Sequence, residues 1–208
     1  MISTWRPASL IESVGDEFLE ESAKLLEDFK FIISVHPNEY VAKPEGQRVW
    51  GEYLRTQKKY GYIIREPEEG CTSYFAACDI VLTDHTCLSD HAIIIQKPII
   101  CVPVDPEFLW KGSITWQLYQ FAPILHDMRS LRDALCKAKT VYPVEKLAEL
   151  ANSMNPYPGK AAERIRGEVY KLLQIRSDHD DSMARGNRSR ISGPSAADWS
   201  EICDITTI

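Results

Sequence analysis

Asp79-Ile80-Val81-Leu82-Thr83-Asp84-His85-Thr86-Cys87, followed by Leu88 to Ile95 and then Lys97-Pro98-Ile99-Ile100, decides the reading of this chain. An apolar run enters a tight turn of small and hydroxyl residues. A short helix opens from the turn, and a second apolar run follows. A helix that begins at such a turn aims unpaired backbone N–H groups at one spot, and its dipole favours negative charge there. The chemistry this points to is the binding of a phosphate or diphosphate.

The flanking sequence repeats the alternation. Ser9 to Asp28 reads as an amphipathic helix, with Val14, Phe18, Leu25 and Leu26 near one face. Phe29 to Val35 reads as a buried strand that stops at His36-Pro37-Asn38. Gln47 to Tyr60 suits a second helix, Tyr62-Ile63-Ile64 a short strand, and Ser73 to Cys78 a helical turn before strand Asp79–Thr83. Helix Leu88–Ile95, strand Pro98–Val102 and a short strand at Pro123-Ile124-Leu125 come next. Helices over Ser130–Lys137, Val144–Ala151 and Lys160–Gln174 complete the pattern. Strands that are continuous apolar runs, alternating with helices, predict an α/β fold: a Rossmann-like parallel sheet with helices on both faces.

The chain has 208 residues, room for one domain expected over 1–175 and a tail over 176–208. From Arg176 the apolar periodicity stops, so a disordered tail is expected, with Trp199 and Ile202 the residues able to dock. A net charge of −6 without a basic block argues against nucleic acid as a partner. No apolar run has the length of a membrane span, and Met1 to Pro7 lacks a signal-peptide core, so the cytosol is the expected compartment. The six cysteines (Cys71, Cys78, Cys87, Cys101, Cys136, Cys203) form no Cys-x-x-Cys pair and are expected as reduced thiols without structural zinc. Trp5, Trp110 and Trp116 read as packing residues, although Phe108-Leu109-Trp110 can also line a pocket for a base.

In open parallel sheets, ligands gather at the carboxyl ends of the strands. Three groups lie at such ends: His36, the turn Thr83–Cys87, and Val104-Asp105-Pro106. An anion held by the turn's N–H groups can take a hydrogen bond from the His36 imidazole and another from Thr86. Asp90, in the first turn of the following helix, suits ribose hydroxyls. Each residue also has a plainer role. His36 can end a strand and bond a carbonyl, and His85 can be a turn residue. Asp84 can cap a helix, and Asp90 can match the helix dipole. The doublets Asp84-His85 and Asp90-His91 carry metal-ligand side chains, but residues six apart on a helix face nearly opposite ways, so no metal site is expected.

Thr4-Trp5-Arg6-Pro7-Ala8-Ser9-Leu10, a helix, and a strand ending in His36-Pro37 together resemble the opening of the C-terminal domain of CDP-glycerol glycerophosphotransferase-like proteins. Val81-Leu82-Thr83-Asp84-His85-Thr86-Cys87 resembles that family's Thr-Asp-Tyr/His-Ser-Ser motif, and Lys97-Pro98-Ile99-Ile100 with Asp105 matches its next strand. The resemblance runs from Thr4 to Leu173. It implies half of a GT-B architecture and a nucleotide-diphosphate donor, CDP-glycerol or a nucleotide sugar. It also implies a transferase role in cell-surface polymer synthesis, peripheral to the inner membrane face, with no separate cofactor.

Carried over residue by residue, His36 contacts the diphosphate and acts in catalysis. Thr83, Asp84, His85, Thr86, Cys87 and Asp90 form the donor site, with Thr86 and Cys87 standing where the family has its phosphate-binding Ser-Ser pair. Cys87 departs from a hydroxyl, and Asp90 sits one place early. The family's N-terminal GT-B domain, which supplies the catalytic base, has no counterpart here, so the chain is expected either as a fragment or as a nucleotide-binding module that takes that domain as a partner. The same order of motifs also resembles the C-terminal half of nonhydrolysing UDP-N-acetylglucosamine 2-epimerases, whose Ser-Gly-Gly turn this chain lacks. The alternative to a transferase is a non-catalytic nucleotide-binding or assembly module.

Overall fold

The structure, a computed structural model, describes residues 1–4 and 9–183. Trp5 and the stretch from 184 onward, with Trp199, Ile202 and Cys203, lie outside the described residues. The chain divides into two units, Met1–Pro156 and Tyr157–Ile208.

Within the first unit, five strands form one parallel sheet: β1 (Ile2–Ser3), β2 (Ile32–Val35), β3 (Ile63–Ile64), β4 (Val81–Thr83) and β5 (Ile99–Cys101). Their order is β3-β2-β1-β4-β5, and every pairing is parallel. This is the α/β Rossmann-like sheet that the alternation predicts. The Pro123-Ile124-Leu125 segment adds a single parallel bridge from Ile124 to Cys101. The central strand, β1, was not expected. It spans two residues, too few for any periodic signal, and is made by its partners: Ile2 lies opposite both Ser34 and Thr83.

Side chains alternate across the sheet, so its two faces build two cores. On one face Ile33, Val35, Ile64, Leu82 and Ile100 pack under α1 (Leu10–Ala23), α2 (Trp50–Gln57) and α6 (Leu131–Thr140). On the other, Ile2, Val81, Ile99 and Cys101 meet α3 (Thr72–Ala77), α4 (Ser89–Ile94), α5 (Ile114–Tyr119) and α7 (Val144–Met154). Ile33, Ile99 and Ile100 are wholly buried, and each such side chain contributes about 1.5–3 kcal/mol.

Several helices differ from their expected extents, the first and the last among them. α1 stops at Ala23, and tighter turns carry the chain on to Asp28, where Leu25 N–H bonds the Ser22 carbonyl at 2.9 Å. Leu25 stays buried, so the apolar face outlasts the helical backbone. In the second unit, α8 (Ala161–Met183) runs into the stretch expected as tail. Loss of apolar periodicity did not end it, because no glycine or proline interrupts the sequence between Gly167 and Gly186. α5 was also unexpected; Ser113 caps it by accepting Trp116 N–H at 3.0 Å. Among the described residues, no helix is long and apolar enough to cross a membrane.

Candidate functional site

The strand order reverses at β1. The chain goes from β1 to β2 and β3 on one side, then crosses to β4 and β5 on the other. Such a switch point leaves a crevice at the carboxyl ends of the strands, where open α/β sheets bind ligands. Register puts His36 just past β2 and the Thr83–Cys87 turn at the end of β4, flanking β1 on this edge. Two strand spacings, about 9–10 Å, separate β2 from β4. The loop carrying Asp105 leaves β5 on the same edge.

His36 opens a short 3-10 turn, Pro37–Tyr40, by accepting the Asn38 N–H on Nδ1 at 3.1 Å. An accepting Nδ1 puts the proton of a neutral imidazole on Nε2. Burial lowers the His36 pKa, which favours that neutral form. The turn is fixed from below. Glu39 is 1% exposed and its carboxylate accepts from Lys43 Nζ at 2.6 Å, while Lys43 also pairs with Glu12. Burial raises the Glu39 pKa and Lys43 opposes the rise.

Asp84 is wholly buried and points toward β1 rather than out of the crevice. Its Oδ2 accepts from Thr4 N–H at 2.9 Å, Leu10 N–H at 2.9 Å and Ser3 Oγ at 3.1 Å. Its Oδ1 accepts from Thr4 N–H and Thr86 N–H, both at 3.1 Å. Both oxygens only accept, as an ionised carboxylate does. Burial nevertheless raises its pKa, against the pull of the Leu10 and Thr4 amides.

The next amides of α1 are also taken: Ile11 N–H donates to Ser3 Oγ at 3.0 Å and Glu12 N–H to Ser9 Oγ at 3.3 Å. The amino end of the first helix, where a Rossmann-like fold offers its N–H groups to a phosphate, is therefore occupied by this chain's own oxygens. Sequence reasoning placed Asp84 in the turn but missed its partners, because Thr4 and Leu10 become its neighbours only once β1 exists.

The turn itself is largely self-bonded. Thr86 is buried; its N–H is held by Asp84, and its Oγ1 accepts Leu88 N–H at 3.3 Å. Ser89 Oγ donates to the Thr86 carbonyl at 2.7 Å. Thr83 is buried and its hydroxyl donates to the Asp84 carbonyl at 3.2 Å. Cys87 is exposed, and among the described residues its N–H has no protein acceptor. The His85 ring stacks on Phe108 with centroids 5.3 Å apart and planes 12° apart, and both its nitrogens are buried. Phe108 thereby joins the site from the β5 loop, and Trp110 beside it is 83% exposed. Asp90 is half-buried with its pKa raised by burial. Asp105 spends one oxygen on Glu107 N–H at 3.0 Å.

The carboxyl edge thus gathers a neutral imidazole, an exposed thiol with a spare amide, and a stacked aromatic pair. The edge can donate hydrogen bonds to an anion and offer flat surface to a ring. No family model matches this chain, and no curated protein matches it.

Proposed function

We propose that this chain is the donor-binding part of a GT-B-type transferase, of the glycerophosphotransferase or glycosyltransferase kind, holding a nucleotide diphosphate at the carboxyl edge of its sheet. The observation that carries this reading is topological. His36 and the Thr83–Cys87 turn stand on either side of the strand where the order reverses, on one edge. His36 Nε2 and the Cys87 amide are the donors suited to the diphosphate. Phe108 and Trp110 suit the base, since aromatic faces stack on any base. A base outside this chain would deprotonate the acceptor. Attack at phosphorus, or at the anomeric carbon of a sugar donor, then expels the nucleotide phosphate, whose growing charge the His36 N–H stabilises. The donor is CDP-glycerol or a nucleotide sugar, and the setting is the inner face of the membrane.

One observation favours a second reading, a nucleotide-binding or assembly module without turnover. Asp84 fills the amino end of α1 with a carboxylate, and like charge there repels a phosphate. Thermal unfolding with CDP, UDP and inorganic phosphate tests the first reading. A nucleotide-dependent rise in melting temperature that His36→Ala abolishes supports it. Silence toward every nucleotide refutes it and leaves the assembly module.

A further inference from the structure

Arg65 follows β3 directly and is 6% exposed. Ile32 pairs with Ile63 and Ile33 with Ile64, so Arg65 lies opposite Ser34. Its Nε donates to Ser34 Oγ at 2.8 Å, and its Nη1 donates to the carbonyls of Glu66 and Glu69. All three acceptors are neutral. The nearby carboxylates are engaged elsewhere: Glu66 with Arg55 and Lys58, Glu69 with the Tyr74 hydroxyl. Among the described residues, Nη2 donates to nothing and no carboxylate pairs with the guanidinium. A buried cation with only neutral acceptors is costly, because part of its lost hydration goes unreplaced.

Arg65 also lines a cavity of about 460 Å³, within the range of small-molecule sites. Alternation puts Ile32, Ser34, Ile63 and Arg65 on one sheet face as its floor, and Tyr74 and Phe75 of α3 line its wall. α3 has six residues, so this side of β2 and β3 is thinly covered, and Ile63 is 44% exposed. The cavity carries Arg65 at the carboxyl end of β3, while Asp28, Lys30 and Asp79, which also line it with Lys139, precede their strands at the amino edge.

We propose that this cavity binds an amphiphilic monoanion of the fatty-acid class, with its carboxylate on Arg65 Nη2 and its apolar body along Ile32, Ile63 and Phe75. Beside the guanidinium the lining is Ile32, Ile63, Tyr74 and Phe75, so one cation there matches one negative charge, whereas a diphosphate brings more charge than Arg65 covers. The proposal does not rest on the nucleotide reading, which uses His36, Cys87 and Phe108, none of which lines this cavity.

Calorimetry on the whole chain, without nucleotide, tests it with decanoate as the probe. Decyltrimethylammonium and inorganic phosphate are the charge and head-group controls. Decanoate is expected to bind at least about tenfold tighter than decyltrimethylammonium, and phosphate alone not at all. Ile63→Glu sets a carboxylate on the same face, two residues from Arg65, at an exposed position. It is expected to keep the melting temperature and lose decanoate affinity by about tenfold or more. Ala77→Trp, at an exposed lining position, narrows the cavity without touching Arg65 and is expected to weaken decanoate too. Equal binding of both amphiphiles, or no binding of decanoate, overturns the proposal. So does a folded Ile63→Glu chain with undiminished affinity. Sedimentation with phosphatidylglycerol vesicles in the absence of decanoate binding overturns it as well, in favour of surface attraction.

Discussion

Asp84 Oδ2 accepts the backbone N–H of Leu10 at 2.9 Å, across 74 residues of chain. Through this bond and those to Thr4, the turn after β4 is fastened to the start of α1 across the switch point. Removing the carboxylate leaves Thr4, Leu10 and Thr86 with buried donors and no acceptor. Asp84→Asn keeps the shape but turns an amide NH2 donor toward backbone N–H donors. We expect it to cost about 2–4 kcal/mol, read as a fall in the urea midpoint. A loss below about 0.5 kcal/mol, the usual size for an inert surface position, contradicts this role.

Glu39 and Lys43 hold the turn that follows His36. Lys43→Met strands the Glu39 carboxylate in a site where burial already raises its pKa. An acid with a folded pKa above its unfolded value loses stability as pH rises through that range, because unfolding then releases its proton. The variant is therefore expected to be about 3 kcal/mol less stable than the parent at pH 7 and closer to it near pH 4. Adding Glu39→Gln should recover most of the loss at pH 7. A deficit that does not change with pH argues against the pair.

Gly51 lies against Tyr40, the last residue of the His36 turn, and a Cβ there would overlap the Tyr40 ring. The ring is held by its hydroxyl, which donates to the Arg65 carbonyl at 2.8 Å. Gly51→Ala should cost about 1–3 kcal/mol of unfolding free energy. It should also blunt any nucleotide response by displacing the turn. A neutral substitution means the ring moves aside freely.

The acid side of the stability profile reports on His36. Its pKa is lowered by burial, so the unfolded chain binds the extra proton first. Stability contributed by neutral His36 is present above the ordinary histidine value and is lost as pH falls below about 6.5. Nuclear magnetic resonance titration of the His36 Cε1–H should give a midpoint below that value. A midpoint above it would mean that a charged imidazole, not a neutral one, faces the edge.

Much of this layout was legible in the sequence. Apolar runs at Ile32–Val35, Val81–Thr83 and Ile99–Cys101 sit where continuous hydrophobic stretches placed them. The parallel arrangement then brought His36 and the Thr83–Cys87 turn to one edge. What stayed hidden depends on β1. Its two residues carry no pattern of their own, so neither the switch point nor the inward turn of Asp84 can be read locally. The stacking of His85 on Phe108 joins segments 23 positions apart, and no spacing rule announces it. Nothing in the sequence sets Arg65 apart from other charged residues that follow a short strand. Its burial against Ser34 follows from the β2–β3 register alone.

The proposed site needs the strand ends on either side of β1 to share one ligand. Amide and imidazole chemical shifts recorded during titration with CDP and with UDP address this directly. The account predicts that one nucleotide moves His36 and the Cys87 amide together, along a single saturating curve, and that His36→Ala flattens the response at Cys87. Shifts at one locus without the other, or none at either, would contradict it.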